Sequence, residues 1–522
     1  MGRGHGVARS QRNPDPRMTA APSSPAPPSP GSPVRWPWAL VPVVLALAYA
    51  AGHALLGHRP TLAGMVPDDA IVTWRYRDLE AYDAAHAAPE GSNQVRASEE
   101  LGAQVNLPGL PGVARDRPLL EIGLDPTRRA DPRAFVLPVE DAGAVRAAFA
   151  NPALEERHAR RVVVHGAWAA AAWDTRVALD AGRGRGLLPP LPADARWSVT
   201  ADWRRFVDAA LLPWVAERPP YVGVLAALGF RPASLTRTAD GSGPVEAQVE
   251  AGRVPFVREA WTQVTLVAWD GRVEATLVPA PESELVPLLR AHAAATGPVG
   301  DAPEPPSGAS AWLRCPDVRA RRILALALWY AGVAWPDAVV KDGFAALRLD
   351  AAGPGTEAWT LAALESPGLV PAWTLAWAGR GASAPAFAAF GLPVPDLGAS
   401  APLARGVGSL RAPFGGEPAE ADVARVAAAS GDLEVLVAGA GAAASARRWA
   451  DEVRSTPLAV ATDARRPIVT GFLKAMDAQQ VLGAAVAPGG LLASVADGDL
   501  ALTLTTDGTA LILDVRRASP SR

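Results

Sequence analysis

The sequence contains few of the side chains from which metal centres and nucleophilic sites are built. Cys315 is its single cysteine, so no intramolecular disulfide and no site with several thiolate ligands can form. Cys315 stands in Trp-Leu-Arg-Cys-Pro without a histidine nearby in sequence, and we predict a buried, inert thiol. The seven histidines include no His-x-His or His-x-x-x-His pair, so no metal site is predicted.

Lysine is nearly missing too, because Lys341 and Lys474 are the only two, whereas arginine, alanine and proline are abundant. We interpret this bias as the result of GC-rich coding DNA. The net charge of −3 provides no basic field, so no nucleic-acid partner is expected. The sequence has no G-x-S-x-G elbow, no P-loop and no Ser-x-x-Lys motif. The run Arg183–Gly186 resembles a phosphate loop only in composition, and we interpret it as a linker.

One long apolar stretch, Trp36–Leu56, is present and contains no Asp, Glu, Lys or Arg. About 20 such residues in a helix cross the hydrocarbon core of a bilayer. Before it, residues 1–35 carry five arginines and one acid, and this leader is predicted to be disordered and cytoplasmic. The positive-inside rule then places the chain from about residue 60 onward outside the cytoplasm. The sequence therefore predicts a single-pass protein of the inner membrane with a periplasmic or extracellular body.

The stretch Trp36–Leu56 has two alternative fates. It stays as an uncleaved signal anchor, or it is a signal peptide cut after Ala50, since Ala48-Tyr49-Ala50 matches the small-x-small cleavage pattern. We favour the anchor, because the apolar run is long for a signal peptide and the leader before it is long as well.

The body is predicted to consist of strands, hairpins and short helices. Asp270-Gly271 between two alternating runs is a strong hairpin signal, and similar signals surround Asp240-Gly241 and Asp507-Gly508. Breaks rich in Pro and Gly divide the body into four predicted α+β units, at residues 60–180, 193–296, 310–378 and 417–522.

A helix beside a hairpin recurs along the body, although individual residues do not repeat closely. This pattern predicts an α+β fold with antiparallel sheets covered by helices on one face, built from duplicated helix-plus-hairpin units. The 17 tryptophans are interpreted mainly as core residues.

The most specific chemical motif lies near the C-terminus. A predicted strand is followed by Gly439, Gly441 and Ala444 in G-x-G-x-x-A spacing, then by a predicted helix, and Asp463 comes about twenty residues later. That layout is typical of a dinucleotide site, with a pyrophosphate at the helix start and an acid on the ribose. Small residues that pack a strand-to-helix turn give the simpler interpretation, which we favour, so no cofactor is expected.

The first part of the body resembles a family of uncharacterised bacterial exported or membrane-anchored proteins, a domain of unknown function. The resemblance covers about residues 60–175 and rests on the turn and strand Val66–Val72 and on Asp141, Val145 and Phe149. These three lie in a short predicted helix, Asp141–Ala150, before a hairpin. That family implies no catalytic residues.

These features together predict a membrane-anchored envelope protein that works by binding or as a structural component, with an envelope protein or another ligand as partner. Two alternatives stay open. One is an exported hydrolase whose site is assembled from scattered residues, and the other is a dinucleotide-binding oxidoreductase using Gly439–Ala444.

Overall fold

The computed structural model shows residues 59–522 as one compact unit. The structure describes residues 61–87, 96–105, 107–125, 132–149, 161–172, 177–178, 181, 183–211, 260–296, 299–317, 319–321, 323–324, 327, 358–364, 374–379, 404–410, 419–431, 433–458, 465–474, 493–495 and 497–518. The predicted membrane segment Trp36–Leu56 lies outside these ranges. Within them, no helix is long and apolar enough to span a membrane.

Nineteen strands and six α-helices lie wholly within the described residues. The strands are β1 (Ala70–Tyr76), β2 (Leu119–Leu124), β3 (Arg133–Pro138), β4 (Arg161–His165), β5 (Trp168–Ala172), β6 (Trp197–Asp202), β7 (Trp261–Trp269), β8 (Arg272–Pro279), β9 (Asp301–Pro303), β10 (Ala309–Cys315), β11 (Trp359–Leu364), β12 (Thr374–Gly379), β13 (Ala404–Leu410), β14 (Ala419–Ala427), β15 (Glu434–Ala438), β16 (Ser455–Pro457), β17 (Pro467–Leu473), β18 (Leu500–Thr506) and β19 (Leu511–Arg517). The helices are α1 (Leu79–Ala85), α2 (Ala97–Gln104), α3 (Ala142–Phe149), α4 (Trp203–Phe206), α5 (Leu285–Ala293) and α6 (Ala442–Glu452). The predicted α+β class is confirmed.

Seventeen of the strands form one sheet, and all of its pairings are antiparallel. The pairings place the strands in the order β4-β5-β3-β2-β1-β6-β7-β8-β19-β18-β17-β10-β11-β12-β15-β14-β13. Strands β9 and β16 pair separately. Strands from all four predicted units therefore share one sheet.

The strand order is nearly the same when it is read outward from the β8–β19 pair in either direction. In the first half of the sheet β1 pairs with β2 and β6, and in the second half β10 pairs with β11 and β17 in the same way. Strands β7 and β8 have their counterparts in β18 and β19, and β3 and β5 in β12 and β15. The repeat is thus about half of the body, larger than the predicted helix-plus-hairpin unit.

Equivalent residues in the two halves follow from the register. Strands β1 and β10 each have seven residues, so Arg75 corresponds to Arg314. Two residues after each strand stands an aspartate, Asp78 or Asp317, and its carboxylate accepts a hydrogen bond of 2.7 Å from a backbone N–H three residues later. Such a cap satisfies a donor that the first helical turn leaves free. The same local structure therefore follows the first strand of each half.

One face of the sheet carries a nearly continuous apolar core from β4 to β14. In the first half this face buries residues such as Leu119, Phe135 and Val145 together with α1, α2 and α3. In the second half it buries Trp359 and Trp377 under α5 and neighbouring residues.

The opposite face is apolar only near its two ends. At one end, Met65 and Val66 and the segment around Ala178 cover alanines of β3 and β5. At the other end, α6 covers alanines of β11, β12 and β14 with Ala446 and Trp449. Helices therefore lie on both faces, whereas the sequence pattern predicted helices on one face only. The second face is covered as well because the small alanine side chains near the ends of the sheet allow other segments to pack closely against it.

Several local predictions are confirmed. The hairpin around Asp270-Gly271 joins β7 and β8, and the C-terminal hairpin joins β18 and β19. The helix predicted near residues 141–150 is α3, and Cys315 is buried. The hairpin predicted around Asp240-Gly241 lies outside the described residues.

Candidate functional site

The glycine motif predicted as a dinucleotide turn connects β15 to α6. Gly439 has φ 129°, and a Cβ there would lie 2.8 Å from Thr374 Oγ1. Gly441 is the N-cap of α6 with φ 69°, a left-handed conformation that favours glycine. The turn therefore needs its glycines for close approach to β12 and for the start of the helix.

The surroundings of this turn differ from those of a dinucleotide site. Strand β15 pairs antiparallel with both β12 and β14, whereas the dinucleotide fold has parallel neighbours. At the helix start, the N–H groups of Ala444 and Ser445 already donate to the Gly441 carbonyl oxygen. Asp463, the predicted ribose ligand, lies outside the described residues. The geometry favours the packing interpretation of Gly439, Gly441 and Ala444.

The Arg183–Gly186 run has a structural use as well. The N–H groups of Gly184 and Gly186 donate to the carbonyl oxygens of Gly64 and Val66, at 2.8 and 3.1 Å. A Cβ on Gly184 would lie 1.9 Å from the Val66 oxygen, so only glycine permits this contact.

The central part of the second face is polar, in contrast to its covered ends. We call it the polar face and define it as the side of β6, β7, β8, β19, β18 and β17 that carries the charged and hydroxyl side chains. Directly paired residues of antiparallel strands point to the same side, so the register assigns to this face Ser198, Thr200, Thr265, Val267, Trp269, Arg272, Glu274, Thr276, Ile512, Asp514, Arg516, Ala501, Thr503, Thr505, Thr470 and Phe472. Six strands about 4.8 Å apart give a floor roughly 24 Å wide.

A cluster of four charged side chains lies where the two halves meet. Glu274 of β8 is directly opposite Asp514 of β19, and these two positions are equivalent in the repeat. Arg272 donates to Glu274 at 2.6 Å and to Asp514 at 3.1 Å, and Arg516 donates to Asp514 at 2.9 Å. Their side chains are 13–41% exposed. The cluster is neutral in sum, and it presents both signs of charge at the centre of the polar face.

Trp269 extends this cluster toward the first half. The Arg272 guanidinium lies 4.5 Å from the Trp269 ring centroid, a cation–π distance. Sequence reasoning missed these residues. The signal that was present is the period-two charge spacing Arg272-x-Glu274 and Asp514-x-Arg516, which in a strand puts both charges of each pair on one side.

A second group of titratable side chains lies on the apolar face of the first half. Tyr76, Tyr82 and His86 are in mutual ring contact, with centroids 4.2–5.6 Å apart. Glu121 accepts a hydrogen bond of 3.4 Å from the Tyr76 hydroxyl and lies 3.7 Å from His86 Nε2. Burial raises the pKa of Tyr76, and the Glu121 carboxylate raises it further. Both the hydroxyl and the imidazole thus meet one carboxylate at the end of α1.

A third group surrounds Cys315 in the second half. Burial raises the pKa of the Cys315 thiol, and the charge of Asp317 raises it further, which favours the protonated, less reactive form. Asp317 also pairs with Arg466 at 3.7 Å. His292 of α5 is fully buried nearby, and burial lowers its pKa despite the opposing charge of Asp317. These groups lie inside the core.

Within the described residues, no group of three or more His, Cys, Asp or Glu side chains is arranged to hold a metal ion. No family model matches the chain, and searches of curated proteins and of solved structures give no match either.

Proposed function

We propose that this protein is a membrane-anchored envelope protein whose body, outside the cytoplasm, works by binding through the polar face. The observation that carries the binding role is the continuity of this face across the join of the two halves. Its floor is a sheet, its ends are bordered by the covers of the two apolar clusters, and its charged residues are partly exposed.

The membrane anchor is proposed on the sequence alone. Trp36–Leu56 is apolar and follows five arginines, which supports a cytoplasmic N-terminus and an exported body. Protease added to intact cells with a permeabilised outer layer is expected to digest the body. A body that resists until the inner membrane is lysed would overturn this topology.

Photo-crosslinking in intact cells tests the binding role. A photoreactive residue at Thr276 or Thr503 lies on the polar face on either side of the join. A matched residue at Arg448 lies on the exposed side of α6. We expect a discrete crosslinked product from Thr276 and Thr503 and none from Arg448. Equal products from all three positions, or none from the first two, would exclude the polar face as the binding surface.

The hydrolase alternative has one observation in its favour, the contact of Glu121 with Tyr76 and His86. A carboxylate beside an imidazole is an arrangement that general acid–base catalysis uses. If such activity is found in the purified full chain, Glu121→Gln is expected to lower kcat by about 100-fold or more. An unchanged kcat would assign the group to packing.

A further inference from the structure

Arg75 of β1 is a half-buried arginine with few partners. Its Nη1 donates to the Pro189 carbonyl oxygen at 3.1 Å, and this is its one hydrogen bond within the described residues. Its Nε is buried and has no hydrogen-bond partner there. Among the described carboxylates, none forms an ion pair with it. Because a guanidinium stays charged in proteins, a half-buried one without a countercharge is unfavourable.

Ser198 is the direct cross-strand neighbour of Arg75 on β6. It is 0% exposed, and its Oγ has no hydrogen-bond partner in the described part of the chain. Paired residues on antiparallel strands have Cβ atoms roughly 5 Å apart, so the hydroxyl and the guanidinium adjoin the same space. Buried hydroxyls of this kind usually have a partner.

Further hydroxyl groups line the same place. Thr73, two residues before Arg75 on the same side of β1, is 1% exposed and lies opposite Thr200, which is 2% exposed. Thr200 shares a hydrogen bond of 2.9 Å with Thr265. Where β1 borders the polar face, one cation and several hydroxyls therefore lie together beside the segment that contains Pro189.

Arg314, the equivalent residue of the second half, has hydrogen-bond partners at both Nε and Nη2. It donates to the carbonyl oxygens of Ala302 and Pro303 and to both oxygens of Thr456, with distances up to 3.0 Å. The charges of Glu304 and Asp301 act to raise its pKa against burial, whereas burial alone lowers the pKa of Arg75. Arg314 thus serves to hold the β9–β16 pair on the sheet.

We propose that Arg75 and Ser198 bind an oxyanion, a carboxylate or a phosphate group of a ligand that lies on the polar face. The planar guanidinium offers Nε and a second N–H side by side, the geometry that two oxygens of one such group accept. The Ser198 hydroxyl donates to a third lone pair or oxygen. This proposal names the ligand chemistry of the polar face and rests on the function proposed above.

Thermal unfolding and titration calorimetry of the full chain in detergent test the site. Sodium phosphate and sodium acetate are the probes, with sodium chloride at equal ionic strength as the reference. We expect phosphate or acetate, but not chloride, to raise Tm, and the more effective of the two identifies the oxyanion. Arg75→Gln is expected to weaken binding roughly tenfold or more, and Ser198→Ala severalfold.

Arg314→Gln is the matched control, because it removes an arginine at the equivalent position that already has its partners. This variant is expected to lower the basal Tm while it keeps the anion response. If Arg75→Gln does not fold, Arg75→Lys and Ser198→Ala give the measurement, both with weakened binding. The site is refuted if neither anion raises the wild-type Tm, or if the Arg75 and Ser198 variants respond as the wild type does. If Thr276 and Thr503 give crosslinks but neither anion raises Tm, the oxyanion site is refuted while the polar face remains supported as the binding surface.

Discussion

The first half of the sheet fills one part of its apolar face with Leu119, Phe135 and Leu137, whereas the second half has Trp359, Trp377 and Gly379 at the same register positions. The two tryptophans stack with ring centroids 4.6 Å apart, and Trp359 is directly opposite Gly379. The additional volume of Trp359 and Trp377 is thus compensated by Gly379, which has no side chain. The strand order and the packed volume persist between the halves while the individual residues change, as expected for close-packed cores.

Between equivalent positions of the two halves, the largest difference in the stability lost on substitution is expected at Leu137 and Gly379. Leu137 is 0% exposed, so Leu137→Ala should leave a cavity and cost about 2–5 kcal/mol. Gly379→Ala should cost only about 1 kcal/mol, because its Cβ meets Trp377 Nε1 and the Ala358 oxygen at 3.3 Å. Urea unfolding of the two variants measures the difference, and Leu137→Met serves as a volume-conserving control. Equal losses from Leu137→Ala and Gly379→Ala would contradict the compensation.

The next difference is expected at the join. Asp514 accepts hydrogen bonds from both Arg272 and Arg516, whereas its counterpart Glu274 accepts one, from Arg272. Asp514→Ala should therefore lower the free energy of unfolding by about 1.5–3 kcal/mol, and Glu274→Ala by about 1 kcal/mol or less. Denaturant titration at low and high salt gives both values. A larger loss from Glu274→Ala would reverse the assignment of Asp514 as the centre of the cluster.

The two equivalent hairpin turns should also differ. Asp507 accepts hydrogen bonds from the N–H and hydroxyl of Thr509 and the N–H of Ala510, whereas exposed Asp270 pairs only with Arg196 within the described residues. Burial acts to raise the pKa of Asp507, but these hydrogen bonds lower it overall. The contribution of Asp507 to the free energy of unfolding is therefore fully present at pH values above its ordinary pKa of 3.8. It is lost as the pH falls through the lowered pKa of the folded state.

Asp507→Ala is accordingly expected to cost about 1–2 kcal/mol at pH 7, and Asp270→Ala about 0.5 kcal/mol or less. Thermal unfolding at pH 7 and at pH 3 checks both the size and the sign. If the two variants lose the same stability at pH 7, the extra hydrogen bonds of Asp507 do not stabilise its turn.

The smallest effect is expected at His292, a first-half residue buried near Asp317 and Arg466 of the second half. Because its folded pKa lies below the ordinary 6.5, the unfolded chain binds the proton more readily, and stability falls as the pH drops below 6.5. His292→Phe should remove this part of the acid sensitivity. Urea unfolding at pH 7.5 and 5.5 compares the two proteins, and an identical decrease in both would show that folding does not lower the pKa of His292.

Local elements could be predicted from the sequence because turn chemistry and alternation are local signals. Asp270-Gly271 between alternating runs specified the β7–β8 hairpin, and the apolar side of α3 specified that helix. The pairing of β8 with β19 could not be predicted, since it joins strands far apart in sequence and depends on register alone. The candidate site was missed for the same reason: Arg75 and Ser198 become neighbours only through the β1–β6 pairing. The glycine motif could be located in the sequence, but the antiparallel pairing of β15 with β12 and β14 could not, because it depends on the tertiary structure.

The pairing of β8 with β19 has a consequence for folding during synthesis. Strand β8 is complete when the chain has reached Pro279, but its partner begins only at Leu511. Until then β8 is the open edge of a finished half-sheet, and such edges recruit other strands and lead to aggregation. Arg272 and Glu274 lie on that edge, and charged side chains are a common protection of exposed edges. The residues that later join the halves would thus first keep the unfinished chain from pairing with a neighbour.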